Sequence, residues 1–245
     1  MIDNKKRFRQ VQIYQSKFMS RPLTILFQHH KTDAVTLRRF WRLVRLNPGV
    51  PVVPLTHASD DVLPRTFDSA SLPELASEDG WRSADLSIYY WFRHARNQIT
   101  TAERYVFVEY DALYRVPMAE FYREVWDEDF AGAQLYFAGP NRDWGWFRSI
   151  YNLPEKLQPF AAGVSPLSGV LLSHRALQAV AEESIPLGIF AELRLATLVN
   201  AHGFDMVELP YGKKRNLTWR QNFVRLDKPS QAYHPLKEIC ALDDF

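Results

Sequence analysis

Tyr105-Val106-Phe107-Val108-Glu109-Tyr110-Asp111 decides the fold: four apolar residues in succession, then two acids flanking a tyrosine. An apolar run this short, bounded by charge, reads as a strand buried on both faces, the kind found in the middle of a parallel sheet. Such strands need helical crossovers, so the segments on either side are expected to alternate in type.

Outward from this strand the alternation is visible. Upstream, Leu23–Phe27 reads as a first buried strand, followed by the polar turn Gln28-His29-His30-Lys31-Thr32. Thr32 or Asp33 can cap a helix carrying Leu37, Phe40, Trp41 and Val44 on one face, stopped by Asn47-Pro48-Gly49. Val50–Leu55 reads as a second strand, pushed toward an edge by Pro51 and Pro54. Residues 56–84 read as a long loop, and Asp85–Ile99 as a helix with Ile88, Trp91, Phe92, Ala95 and Ile99 inward.

Downstream, Pro117 opens a helix at its first position, and Ala131–Phe137 reads as one strand. Residues 138–161 read as a second long loop. Ser168–Ser173 is a short strand, and His174–Glu183 and Ile189–His202 are helices, the second stopped by Gly203. Val207–Leu209 reads as a last strand. The expected class is α/β: a mostly parallel central sheet with helices on both faces, Rossmann-related. Residues 1–20 form a basic appendage and residues 21–245 a single domain. Ligands of such sheets sit beyond the carboxyl ends of the strands, here after Phe27, Leu55, Val108 and Phe137.

Composition sets outer bounds. The chain has 245 residues, 47% apolar and 24% charged, which is ordinary for a globular protein with a substantial core. A formal charge of +2 makes it no general polyanion trap and argues against nucleic acid as partner. Basic residues cluster at Lys5, Lys6, Arg7 and Arg9 and at Arg38, Arg39, Arg42 and Arg45. They read as a solvated arm and helix face, with an anionic surface as the alternative. Cys240 is the only cysteine, so no intrachain disulfide can form. No apolar run approaches the ~20 residues that span a bilayer, and the charged start lacks the apolar stretch of a signal peptide. The chain reads as cytoplasmic, with peripheral membrane contact through its basic start as an option. Phosphate-loop, G-x-G-x-x-G, G-x-S-x-G and H-E-x-x-H patterns do not occur, which sets aside the chemistries they carry.

The acids at the end of the central strand carry the chemistry. Glu109 and Asp111 are two apart, so on an extended chain both carboxylates face one way. Together they can hold a hard divalent cation, Mg²⁺ or Mn²⁺, which would neutralise a departing diphosphate. The alternative is a pair of solvated acids at a strand end.

This segment resembles the D-x-D motif of the GT-A-type glycosyltransferases, which bind a nucleoside-diphosphate sugar through a metal. Leu23–Phe27 with its polar turn resembles that family's first strand and nucleotide loop. Ser168–Ser173 with the following helix resembles its acceptor-side unit. Phe190-Ala191-Glu192 resembles the segment carrying the base of inverting members, and His234-Pro235-Leu236-Lys237 the late histidine that completes the metal site. The order of features spans about residues 22–238. Two positions depart: Glu109 stands where the family has Asp, and Leu193 follows Glu192 where a second acid is usual.

The resemblance implies a metal-dependent transfer of a sugar from a nucleoside-diphosphate sugar, a UDP-sugar foremost, to a hydroxyl acceptor such as a glycan. Asp111, Glu109 and His234 would hold the metal and Lys237 the diphosphate. Glu192 would be the base, the alternative being a solvent-facing glutamate paired with Arg194. Gln28, His29 and His57 would meet the nucleotide. Trp144, Trp146 and Asn141 lie in a loop suited to acceptor binding, because aromatic faces stack on sugar rings and an amide bonds hydroxyls. A nucleotidyltransferase of related fold would use the same acids but needs glycine after the first strand, and Gln28–Thr32 has none. A non-catalytic glycan- or nucleic-acid-binding protein remains the other alternative.

Overall fold

The computed structural model describes residues 22–30, 33–56, 63, 67–68, 82–94, 102–139, 143–220, 224, 226 and 230–238. The basic arm of residues 1–20, His57 and Asn141 lie outside these residues.

In chain order the elements are β1 (Leu23–His29), α1 (Ala34–Leu46), β2 (Val52–Thr56), β3 (Phe67–Asp68), α2 (Leu86–His94), β4 (Arg104–Glu109) and β5 (Leu113–Tyr114). There follow α3 (Met118–Phe121) with a 3-10 turn at Arg123–Val125, β6 (Phe130–Gly132) and β7 (Leu135–Phe137). Two 3-10 helices, Gly145–Asn152 and Glu155–Phe160, lead to β8 (Ala162–Val164), β9 (Val170–Ser173), α4 (His174–Glu182) and α5 (Ala191–Ala201). The described chain closes with β10 (Met206–Glu208), α6 (Tyr211–Lys214) and β11 (Ala232–Tyr233).

Among the described residues, seven strands form the central sheet in the order β10-β6-β9-β4-β1-β2-β3. All neighbours run parallel except β9, which is antiparallel to both β4 and β6. The sheet is therefore mostly parallel, as the alternation of segments implies. Its central strands feed two cores by strict alternation. Tyr105 and Phe107 of β4, Leu26 of β1 and Val170 and Leu172 of β9 pack under α2, α4 and α5. Val106 and Val108, Ile25 and Phe27, and Leu171 pack against α1 and α3 on the other face. Helices cover both faces because neither side of a central strand is polar.

Four expectations are corrected. The run 131–137 is two strands: β6 ends at Gly132, and β7 pairs antiparallel with β8 in a separate sheet. The break is held by Glu208, whose carboxylate accepts the Leu135 N–H at 2.9 Å in place of a ladder bond. The loop 138–161 holds two 3-10 helices anchored by buried Phe147 and Leu157. Pro117 caps α3 rather than occupying its first turn, and the helix lasts four residues. In α1, capped by Asp33 on Thr36 N at 2.9 Å, the inward face is rotated. Phe40 and Leu43 are buried, Leu37 and Val44 pack at the margin, and Trp41 stays 46% exposed while Arg39 and Arg42 are buried. Gly203, at φ 72°, follows the end of α5 as expected.

Candidate functional site

β4 lies between β1 and β9 and ends at Glu109, in register with Gln28 of β1. The chain then turns: Ala112 N donates to Glu109 O at 2.9 Å, and Tyr110 N to Gln28 O at 2.8 Å. The two acids therefore converge through a turn and not through extended alternation. Glu109 is fixed from the β9 side by Ser168, whose N–H donates to Oε2 at 3.2 Å and whose Oγ accepts the Glu109 N–H at 3.0 Å. Gly169 follows at φ 87°, and a Cβ there would lie 2.8 Å from the Tyr114 hydroxyl, so only glycine fits.

The third member arrives from 123 residues downstream of Asp111 in sequence, counting from 111 to 234. His234 Nε2 lies 3.2 Å from Glu109 Oε2 and 3.2 Å from Asp111 Oδ1. Its Nδ1 donates to the Thr218 carbonyl at 2.7 Å, which can only accept, so Nε2 is the atom turned to the acids. The backbone around it is pinned: His234 N donates to Asn216 O, Thr218 N to His234 O, and Leu236 N to Asp111 O. One ligand atom from each of Glu109, Asp111 and His234 lies within 4.8 Å of the others.

The electrostatics match this geometry. Burial opposes charge on His234, but the Asp111 and Glu109 carboxylates outweigh it and push the imidazole up to about 10. Burial likewise opposes ionisation of Asp111, yet His234 and exposed Lys237 hold its carboxyl below the usual range. The two carboxylates on either side of Nε2 thus favour the protonated imidazole. Two carboxylates and an imidazole suit Mn²⁺ or Mg²⁺, the imidazole inclining the set toward Mn²⁺. A backbone carbonyl on the far ring nitrogen is the usual support of a ligating histidine. The residues therefore fit a divalent cation.

Glu192 stands in the first turn of α5 and is not paired with Arg194. That arginine is fully buried and forms an ion pair with Asp85, also fully buried, its Nε donating to Oδ2 at 2.9 Å. Tyr89 donates to the same carboxylate at 2.7 Å. Glu192 is partly exposed, and its carboxyl is pushed up to about 7. Burial is the main cause, and the charges of Glu109 and Asp85 add to it against the opposing pull of His234. It thus shares the field of the triad.

The other candidates divide. Gln28 is buried on the same face as Glu109, its Oε1 accepting from Ser87 Oγ at 2.6 Å. His29 is buried on the opposite face, its ring 6.3 Å from that of Phe27. Trp144 stacks on Tyr136 at 4.6 Å and meets Phe147 edge-on, serving as part of the wall. Trp146 stacks on Phe190 at 4.0 Å, with the Arg82 guanidinium 4.8 Å over the same ring. Phe190 is the residue that precedes α5, so this stack lies at the N-terminal end of the helix whose first turn carries Glu192. Thr218 and Asp85 carry no local pattern that marks them for the site, and Ser168 and Phe190 lie in marked segments whose pattern does not tell these contacts. Their roles arise from contacts between segments distant in sequence.

No protein-family model matches the sequence, and no curated protein does. Solved structures are similar at low identity. Glucosyl-3-phosphoglycerate synthase from Mycobacterium tuberculosis, in complex with Mg²⁺ and UDP, is 14% identical over 81% of this chain and 73% of its own, with a TM-score of 0.49. The same enzyme with Mn²⁺, UDP-glucose and phosphoglyceric acid gives 14%, 79%, 71% and 0.46. The galactosyltransferase LgtC with donor and acceptor sugar analogs is 11% identical over 86% of each chain, with a TM-score of 0.45. Among the described residues, no helix is long and apolar enough to cross a membrane.

Proposed function

We propose that this chain is a GT-A-type, metal-dependent glycosyltransferase that moves a sugar from a nucleoside-diphosphate sugar, a UDP-sugar foremost, to a hydroxyl acceptor. The observation that carries the reading is the meeting of Glu109, Asp111 and His234 at the carboxyl end of the central parallel strand. That is where ligands of such sheets bind.

Asp111, Glu109 and His234 hold the cation, Mn²⁺ or Mg²⁺. When bound, it offsets the charge that develops on the departing diphosphate. Lys237, whose charge reaches Asp111, adds a positive charge at the same end. Gln28, level with Glu109 in the sheet, lines the nucleotide side. Glu192, with its carboxyl near 7, is poised to take the proton of the acceptor hydroxyl as that oxygen attacks the anomeric carbon, giving inversion. Trp146, braced on Phe190 at the start of the helix that carries Glu192, offers an aromatic face for an acceptor sugar. Burial of Arg39 and Arg42 removes half of the basic cluster 38–45 that a nucleic-acid surface would need.

Thermal melts with UDP, GDP and CDP, each with and without Mn²⁺, test the reading. Ligand at 100 times Kd adds about 3 kcal/mol, or roughly 5–10 °C for a chain of this length. A Mn²⁺-dependent shift with one nucleotide, lost in Asp111→Ala, is expected. Release of free nucleoside diphosphate from a sugar donor then separates sugar transfer from nucleotidyl transfer. No shift with any nucleotide refutes the proposal.

A further inference from the structure

A helix on a sheet normally turns apolar residues inward, yet α1 buries two arginines. Arg39 is 1% exposed, and its guanidinium donates through Nη1 to Leu236 O at 2.8 Å and through Nη2 to Glu238 O at 3.1 Å. One turn on, Arg42 Nε donates to Tyr114 O at 2.8 Å, and Tyr114 pairs with Ala232 in the β5–β11 ladder. Arg39 thus holds the segment 232–238 directly, and Arg42 holds the strand that pairs with its start; this segment has no helix of its own and brings His234 to the acids.

The bonds have a direction. Leu236 donates its N–H to Asp111 O and accepts Arg39 on its carbonyl, so one residue is clamped between the metal-site turn and α1. The carbonyls on either side of Lys237, those of Leu236 and Glu238, are both held by the same guanidinium. Two parallel donors on a rigid plane fix the peptide path in a way that a flexible ammonium does not.

We infer that Arg39 is a positioning residue: it sets the backbone from Leu236 to Glu238 so that His234 stays over Asp111 and Lys237 stays aimed at the same end. This rests on the metal-site reading above and adds a residue that touches neither cation nor substrate.

The test is a double-mutant cycle on Mn²⁺ affinity, measured by calorimetry and by the Mn²⁺ spin resonance signal, on wild type, Arg39→Met, His234→Ala and the double variant. Loss of a supporting partner costs about 10–100-fold in metal affinity, and Arg39→Met is expected to weaken Mn²⁺ by about tenfold. If Arg39 acts through His234, the double variant binds no more weakly than His234→Ala alone. Arg39→Lys keeps the charge without the fork and is expected to weaken Mn²⁺ to an intermediate extent. Should Arg39→Met fail to melt cooperatively, Arg39→Lys carries the cycle with the same criteria. Unchanged affinity in the Arg39 variant, or an equal loss in the His234→Ala background, overturns the inference alone. A wild type that binds no Mn²⁺ overturns the metal site and this inference together.

Discussion

A cation that takes His234 as ligand must first displace its proton, so Mn²⁺ affinity should rise with pH. In the metal-free protein the imidazole is held protonated up to about 10 by the two carboxylates, whereas a ligating histidine is neutral. At pH near 7, about three units below that value, roughly one molecule in a thousand presents a free Nε2, a handicap of about 4 kcal/mol. Asp111 is held below the usual carboxylate range, so it does not titrate here. The affinity should therefore climb tenfold per pH unit, about 100-fold or 3 kcal/mol from about pH 6.5 to about pH 8.5. Calorimetry in buffers of different ionisation enthalpy should count close to one proton released per Mn²⁺. Removing His234 as His234→Gln should lower the affinity at high pH and flatten the slope. A wild-type affinity independent of pH, with no proton released, would mean that His234 is neutral in the free protein or not a ligand.

The same groups set the metal-free stability. His234 has a raised folded value, so its contribution is full below its ordinary 6.5 and is lost as pH rises toward about 10. Glu192 is also raised, from 4.5 to about 7, so melting temperature should fall from about pH 4.5 to about pH 7 through Glu192 and on toward about pH 10 through His234, checked by calorimetry without metal. Glu192→Gln should cut transfer by about 10²–10⁴-fold while leaving Mn²⁺ and UDP binding in place. The same variant should melt higher than wild type at about pH 8.5, because an ionised Glu192 costs about 3 kcal/mol there. Arg194→Met strands the buried Asp85 carboxylate and should destabilise the fold by about 3–5 kcal/mol in urea melts, with Asp85→Leu in addition recovering much of it. Trp146→Ala should raise KM for the acceptor and leave the affinity for the nucleotide unchanged, as read by calorimetry.

What the sequence determined by itself was the strand layout and the ends of the helices. The run Tyr105–Val108 is apolar at every position, and only a strand with a core on each face asks for that, so the central place of β4 and the layered class follow from local pattern. Asp33 and Gly203 mark helix boundaries through bonds made within a few residues. The split of 131–137 was not legible, because an apolar run does not record which of two sheets each half joins. Nor was the inward face of α1: Arg39 and Arg42 turn in because they meet carbonyls of residues about 70 to 200 positions later, a distance no periodicity spans. At the candidate site the sequence offered Glu109 and Asp111 as neighbours and His234 only as part of an order of motifs. Tertiary structure alone decided that they share one point in space, that Thr218 fixes the imidazole and Ser168 the carboxylate, and that Arg194 is taken by Asp85. Charge in a buried cluster depends on distances through space, and the chain acquires those distances only by folding.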